Sequence, residues 1–237
     1  MRVNATQGVV LGRTNFGEAD RIIIVLTPDH GKLHLMAKGA RKEKSKLAAG
    51  IELFSISNIS FISGKRDMGT LVSSRLEQHF GNIVKDIKRT TFGYSILKLI
   101  NTVTEENCER GYFDLAADGL VLLNNFANQQ PLVEAWFHVR LLGLMGHTPN
   151  FITDTKGHKL QASQSYNFDD EHMAFFVQDH GVYGDKHIKL LRLLCTIPGK
   201  HIKNINGATE VVNDCATLLQ RTIRLYVPSG AVKSANA

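Results

Sequence analysis

The spacing of apolar residues changes near residue 80, and this change constrains the fold more than any other feature of the sequence. Before it, short β-branched or alternating runs are separated by turn residues, for example at 15–18 and 28–31, a pattern typical of short strands. After it, apolar residues recur three or four positions apart, which indicates amphipathic helices. The sequence therefore predicts an α+β protein with a β-rich first part and a helical second part.

Five strands are predicted in the first part, at residues 9–13, 21–27, 32–38, 51–62 and 70–76. In the third run Leu33, Leu35 and Ala37 share one face, so that face is core and the opposite one is wet and basic. The fourth run changes the parity of its apolar residues near Ser57 and Asn58, which predicts a β-bulge there. Five coiled strands are the number expected of an OB-fold Greek-key barrel.

Helical spacing predicts three helices between Phe80 and residue 146, and two more before Pro228. Between Gly146 and Gly184 polar residues and glycines surround one short apolar run, so we expect a small irregular insert with at most a small hairpin. The predicted domains are a barrel at 1–80, a helical domain at 81–228 with the insert at 147–184, and a flexible tail at 229–237.

Positive charge is concentrated in the predicted barrel. Residues 1–80 hold 12 Lys and Arg against 7 Asp and Glu, and residues 81–237 hold 16 against 15, so the barrel carries +5 of the formal net charge of +6. This asymmetry favours a polyanionic partner for the first domain. The apolar fraction of 43% and the charged fraction of 21% exclude a disordered chain.

The sharpest motif is Lys-Gly-Ala-Arg-Lys-Glu-Lys-Ser-Lys at residues 38–46, which we call the basic loop. Five cations beside one acid repel one another unless an anion lies across them, and the small residues let a phosphate approach the backbone. The motif therefore predicts a nucleic-acid contact, with a solubilising surface loop as the alternative. The candidate phosphate contacts in the loop are Lys38, Arg41, Lys42, Lys44 and Lys46.

Cations at predicted strand ends or turns extend this surface, because long side chains reach along a groove from such positions. These further candidates are Arg13, Arg21, Lys65 and Arg66. Aromatic residues that could stack on bases are scarce, with Phe16 in a turn, His34 on the wet face and Phe61 in a core position. The scarcity predicts binding to the backbone of single- and double-stranded DNA, with little reading of sequence.

Motifs of catalysis, of cofactor binding and of a membrane span are absent from the sequence. It has no glycine-rich phosphate loop, nucleophile elbow or zinc-protease helix, and the acidic cluster at 169–172 reads as a solvated turn. Cys108, Cys195 and Cys215 form neither a disulfide framework nor a paired metal site. We therefore expect a cytoplasmic protein that is not an enzyme, has no cofactor and does not contact a membrane.

The single tryptophan marks a candidate partner site in the helical part. Trp136 is one residue from the apolar stripe of its predicted helix, and Arg140 follows one turn later. An apolar pocket beside a cation would suit an acidic, hydrophobic peptide tail. Plain helix-bundle core is the alternative.

Several motifs, taken in their order along the chain, are similar to those of a known protein family. Residues 8–21 are Gly-Val-Val-Leu-Gly-Arg-Thr-Asn-Phe-Gly-Glu-Ala-Asp-Arg, and they are followed by Leu26-Thr27, His30-Gly31-Lys32, Ala-Lys-Gly-Ala-Arg at 37–41 and Glu52-Leu53-Phe54. This set resembles the N-terminal domain of the bacterial DNA repair protein RecO family. Residues 141–151, Leu-Leu-Gly-Leu-Met-Gly-His-Thr-Pro-Asn-Phe, look like that family's Leu-x-x-x-Gly-Tyr-x-Pro-x-(Phe/Leu) segment.

The resemblance implies an OB-fold followed by a helical domain with a small insert, and a mediator of recombinational repair that is not an enzyme. Members of the family bind single- and double-stranded DNA, anneal complementary strands and work with RecR, sometimes with RecF, to replace single-strand-binding protein (SSB) by RecA. The resemblance places the basic loop in the DNA-binding role. It also implies a cytoplasmic protein associated with the nucleoid.

Two further implications concern the helical domain. Many members of the family bind a structural zinc ion through four cysteines in the insert, but here no cysteine lies between Cys108 and Cys195. We therefore expect no metal, because His158, His172 and His180 lack zinc-site spacing. The family's helical domain also binds the acidic C-terminal tail of SSB, which favours the partner site at Trp136 and Arg140.

Two other functions remain open from the sequence. An OB-fold protein for structured RNA would share the basic loop, and competition between DNA and tRNA, with a test of strand annealing, separates it from a DNA-annealing protein. A hydrolase would use the residues rich in His and Asp in the insert. Deletion of residues 152–184 would then abolish a phosphatase or nuclease activity.

Overall fold

The structure is a computed structural model that describes residues 2–64, 68–126, 129–205 and 207–227. Its contacts define two compact units, and the division between them falls after Asn125. Strands give way to helices near residue 80, whereas the first compact unit also includes two helices beyond that point. The domain boundaries drawn from the sequence stay a prediction, and the tail at 229–237 lies outside the described residues.

A five-stranded barrel forms the first part of the first unit. Its strands are β1 (Val3–Phe16), β2 (Asp20–Thr27), β3 (Gly31–Ala37), β4 (Ser55–Ile62) and β5 (Met68–His79). The barrel is closed in the order β1-β2-β3-β5-β4, and all neighbours are antiparallel except β3 and β5. This is the five-stranded Greek-key arrangement of an OB-fold, so the predicted fold of the N-terminal part is confirmed.

Alternation along the strands produces the barrel core. In β3, Leu35 and Ala37 are buried and Leu33 packs against the same cluster, as their shared parity predicts. Inward residues of the other strands, such as Ile23 and Phe61, complete this apolar interior. Burying a side chain of this size contributes about 1.5–3 kcal/mol, so the interior accounts for much of the barrel's stability.

The prediction of a bulge in the fourth strand is wrong, because β4 has no extra residue there and the bulged residue belongs to the neighbouring strand β5. Ile56 of β4 pairs with Gln78 of β5 whereas Ser57 pairs with Leu76, so the register shifts at the predicted position on the β5 side. The parity change has another cause. Phe54 lies outside β4 with φ of 55°, and the inward residues of β4 then alternate regularly from Ser55.

Two helices complete the first unit, α1 (Ile87–Val103) and α2 (Arg110–Asn125). Helix α1 begins where the carboxylate of Asp86 accepts a hydrogen bond of 2.9 Å from the backbone N–H of Arg89, a cap that stabilises a helix by about 1 kcal/mol. Helix α2 buries the predicted stripe, including Phe113 and Leu120.

The second unit contains α3 (Gln130–Leu144), α4 (Asp185–Thr196) and α5 (Val212–Tyr226). Pro131 lies in the first turn of α3, where its missing N–H costs no hydrogen bond. Helix α3 packs against both α4 and α5. The helices predicted from the apolar spacing are therefore present, and in the described ranges no helix is long and apolar enough to span a membrane.

The insert is more regular than the sequence predicts. It holds β6 (Asn150–Asp154), β7 (Tyr166–Asp169) and β8 (Ala174–Val177), which form a sheet in the order β6-β8-β7. The expected hairpin is β7 and β8, and β6 adds a parallel third strand. The physical reason is an aromatic cluster around Phe175, whose ring lies within 6.1 Å of four others in the described part. These rings are Phe151, Tyr166, Phe168 and Tyr183.

Candidate nucleic-acid interface

The basic loop leaves the barrel directly after β3, and its five cations, Lys38, Arg41, Lys42, Lys44 and Lys46, are all exposed. Glu43, the acid within the loop, is exposed as well. Ala40 is 2% exposed and belongs to the barrel core, so the loop is attached to the barrel through its own third residue. The loop therefore displays charge from a fixed base.

Hydrogen bonds attach the beginning of the loop to the turn between β1 and β2. The backbone N–H of Gly39 donates to Oδ1 of Asp20 at 2.7 Å, and the backbone N–H of Arg41 donates to the carbonyl of Ala19 at 2.9 Å. The guanidinium of Arg41 also donates to the carbonyl of Gly17 at 3.2 Å. Gly39 has φ of +65°, a left-handed conformation that favours glycine.

The end of the loop is attached to β5. The hydroxyl of Ser74 donates to the carbonyl of Leu47 at 2.9 Å, and Leu47 packs against the barrel core. Between the two attachments, the N–H of Ser45 donates to the carbonyl of Lys42 at 3.0 Å. The cationic segment thus crosses from the β1–β2 turn to β5 with hydrogen bonds at both ends and within it.

Arg13 and Arg21 lie together but share an acidic neighbour. A guanidinium nitrogen of Arg13 is 2.5 Å from Oε1 of Glu52, and one of Arg21 is 3.8 Å from the same oxygen. Arg21 also donates to Oδ1 of Asn15 at 3.3 Å. A phosphate must compete with Glu52 for both arginines, so they are weaker candidates than the cations of the basic loop.

The candidate aromatic residues differ in how far they are exposed. Phe16 is exposed at the end of β1, Phe61 is 2% exposed in the core, and His34 is half-buried on β3. Lys65 and Arg66 lie outside the described residues. The structure brings the basic loop and the β1–β2 turn together. The groups that hold the loop, Asp20, Gly17 and Ala19, were not predicted from the sequence.

The outer face of β3 is less basic than expected because the ammonium of Lys32 is bound to backbone carbonyls of the same unit. Its ammonium donates to the carbonyls of Asn101, at 2.8 Å, and of Thr104, at the C-terminal end of α1. Burial there lowers the pKa of Lys32 from its usual value. Lys32 therefore caps a helix end and is not available to a phosphate.

In the second unit, Trp136 and Arg140 both bind the end of α4. Trp136 is 3% exposed, and its indole N–H donates to the carbonyl of Ile197 at 3.0 Å. Arg140 is exposed, and its guanidinium donates to the carbonyl of Cys195 at 2.5 Å. Trp136 therefore presents almost no surface to a peptide in this structure, and only Arg140 is accessible at the candidate partner site.

The acidic cluster in the insert is built as a turn. Asp169 accepts hydrogen bonds from the backbone N–H groups of His172, at 3.1 Å, and Glu171, at 2.9 Å. The bond from His172 is the main reason that the pKa of Asp169 lies below its usual value. Among the described residues, no group of three or more His, Cys, Asp and Glu is arranged to hold a metal ion.

Comparison with known proteins gives matches along nearly the whole chain. The family model described as Recombination protein O N terminal matches residues 1–80, and the one described as Recombination protein O C terminal matches residues 84–235. The boundary between the two family models therefore lies at the change from strands to helices near residue 80.

The relatives named DNA repair protein RecO include proteins from three bacteria. That of Acetivibrio thermocellus is 34% identical over 145 residues, which cover 61% of this chain and 57% of the relative. That of Dehalococcoides mccartyi is 33% identical over 163 residues, 68% of this chain and 64% of the relative. That of Listeria monocytogenes serotype 4b is 28% identical over 227 residues, 93% of this chain and 86% of the relative.

The matched part spans less than two thirds of the length of the first two of these relatives. The family models are nevertheless extensive, since the C-terminal one alone covers more than half of the chain. An OB-fold barrel carrying a basic loop, followed by a helical unit, agrees with both of them. The chain therefore belongs to the Recombination protein O (RecO) family.

Proposed function

We propose that this protein is a DNA-binding mediator of recombinational repair, and that it acts by binding rather than by catalysis. It binds the phosphate backbone of single- and double-stranded DNA through the basic loop. Membership of the RecO family supports a role in DNA repair, and the relatives are named for it. The observation that carries the proposal is the basic loop itself, five exposed cations held at both ends by the barrel.

Phosphate contacts explain why one surface would serve both forms of DNA. Each lysine or arginine that replaces a condensed counterion adds affinity that depends on salt and not on sequence. The attachment of the loop to Asp20, Ala19 and Ser74 limits the entropy lost on binding, because the cations are already gathered on one side of the barrel.

The same surface supports annealing as part of the proposal. A cationic protein screens the repulsion between two strands and raises their local concentration, and base pairing then supplies the specificity. We further propose that the protein works with RecR to load RecA onto strands coated with SSB, and that it associates with the nucleoid through its DNA contacts.

The test of DNA binding is a change of all five loop cations to alanine. We expect weaker binding to every sequence, and a slope of log affinity against log salt that is shallower by up to about 3.5 for single strands. The matched control changes five exposed lysines of the second unit and so alters the net charge equally. These control positions are Lys156, Lys159, Lys186, Lys200 and Lys203.

An unchanged salt slope in the loop variant, or an equal loss in the control variant, would overturn the assignment of the basic loop. Competition by tRNA that exceeds competition by single-stranded DNA of equal length would instead support an RNA-binding protein. Annealing of complementary strands coated with SSB, measured with and without the protein, tests the proposed activity directly.

The proposed contact with SSB has a separate test at Arg140. The change Arg140→Glu reverses the accessible cation, so we expect the variant to lose a fluorescent peptide of the acidic SSB tail while it keeps its affinity for DNA. Loss of both would indicate unfolding of the whole protein, because the proposed DNA surface lies in the first unit and Arg140 in the second. Circular dichroism of the variant checks that the second unit stays folded without the hydrogen bond from Arg140 to Cys195. Unchanged peptide binding would contradict the site.

A further inference from the structure

Phe16 is an aromatic residue whose side chain is exposed at the end of β1. Among the described Phe, Tyr and Trp residues only two have exposed side chains, Phe16 at 52% and Tyr94 at 51%. Tyr94 lies edge-on to the ring of Phe54, with centroids 5.0 Å apart. No ring of the described residues packs against Phe16. Its apolar face therefore has no intramolecular aromatic partner in the part of the chain that the structure describes.

The position of Phe16 relative to the basic loop is fixed by three contacts. Phe16 pairs across the hairpin with Asp20, and side chains directly opposite each other in antiparallel strands have Cβ atoms about 5 Å apart. Asp20 in turn accepts the hydrogen bond of Gly39, at the beginning of the loop. Arg41 donates to the carbonyl of Gly17, the residue that follows Phe16. An open ring and several cations thus share one edge of the barrel.

This combination matches the chemistry of a single strand. Cations neutralise its phosphates, and its unpaired bases stack on aromatic faces irrespective of sequence. The bases of a duplex are already stacked on one another and do not offer a free face. We propose that Phe16 is a base-stacking residue for single-stranded DNA whose phosphates lie on the basic loop. This inference rests on the proposed function and adds a preference for unpaired bases.

The test compares two ligands of equal length, an oligothymidylate and an oligomer of abasic deoxyribose phosphate. The change Phe16→Ala should weaken binding to the oligothymidylate about tenfold, and should leave binding to the abasic oligomer and to duplex DNA within about twofold. A phosphate-binding or merely structural role for Phe16 would affect all three ligands equally. Thermal unfolding of the variant, followed by circular dichroism, establishes that it is folded.

A second variant keeps the ring and reports on stacking. Phe16→Trp should retain the affinity of the native protein, and its tryptophan emission should be quenched by the oligothymidylate but not by the abasic oligomer. The native Trp136 is 3% exposed and contributes a constant background. The matched control is Ile152→Trp, at a position 62% exposed on β6 of the second unit, and its emission should respond less.

The outcomes separate this inference from the function on which it rests. If the five loop changes weaken all ligands and Phe16→Ala weakens none, the stacking role is wrong and the DNA-binding surface stands. If the five loop changes have no effect on any ligand, the proposed interface itself is wrong. Quenching of Phe16→Trp by both oligomers alike would also overturn the stacking role.

Discussion

The carboxylate of Asp20 accepts a hydrogen bond of 2.7 Å from the backbone N–H of Gly39, so the first residue of β2 holds the beginning of the basic loop. An acidic side chain at this place has a structural use within a cationic region. It satisfies a backbone donor and partly offsets the repulsion among the neighbouring lysines and arginine. The candidate interface therefore includes an acidic side chain that holds the basic loop in place.

Asp20→Ala should loosen the basic loop. A hydrogen bond to a charged acceptor contributes about 1.5–3 kcal/mol, so the loss should lower stability and expose the loop to trypsin. Despite the more positive charge, we expect weaker DNA binding. The control Asp29→Ala removes the same charge from an exposed residue whose contact is a 3.4 Å hydrogen bond from Thr6. Equal rates of cleavage within residues 38–46 in both variants would contradict the role of Asp20.

Gly39→Ala tests the backbone conformation of the same turn. Gly39 has φ of +65°, and a residue with a Cβ in the left-handed region costs about 1–2 kcal/mol. The midpoint of urea-induced unfolding should fall accordingly. The control is Gly12→Ala in β1, whose added Cβ would meet only Ile24, at an ordinary 3.8 Å. A fall as large in the Gly12 variant would show that the cost is not conformational.

Glu52→Gln should strengthen DNA binding. Oε1 of Glu52 lies 2.5 Å from Arg13 and 3.8 Å from Arg21, so the change releases two guanidinium groups at the edge of the candidate interface. We expect the affinity for single strands to rise severalfold at low salt, with a steeper salt dependence. Glu109→Gln, at an exposed position before α2, removes one charge as a control. If both variants gained affinity for single strands equally, the change in net charge alone would explain the gain.

The sequence is sufficient to predict the barrel because its signal is local. Strand alternation in β3 and the β-branched run of β2 require only a buried face and a wet face, and both are found. The insert was harder to predict for the opposite reason. Its sheet is held by rings from Phe151 to Tyr183 that are distant in sequence, so no short window shows the regularity.

The candidate site was only partly predictable for a related reason. The charge of the basic loop is visible in the sequence, whereas its anchor Asp20 lies 19 positions before Gly39. The neutralising role of Glu52 is likewise a long-range contact with Arg13. The sequence also left open whether Trp136 is core or partner site, because a position next to an apolar stripe does not reveal that the ring is 3% exposed with its N–H bound to the carbonyl of Ile197.

His138 of α3 makes the stability of the second unit dependent on pH. Burial, assisted by the nearby charge of Arg224, lowers the pKa of His138 to about 4, below the unfolded value of 6.5. The unfolded chain therefore takes up a proton first as the pH falls, so this contribution to stability is present above pH 6.5 and is lost toward pH 4. Between pH 7 and pH 5 the free energy of unfolding should fall by about 2 kcal/mol because of His138.

Urea unfolding at several pH values, followed by Trp136 emission, measures this fall in the free energy of unfolding. His138→Asn should flatten the dependence and the exposed control His79→Asn should not; an equally steep fall in the His138 variant would show that other groups are responsible.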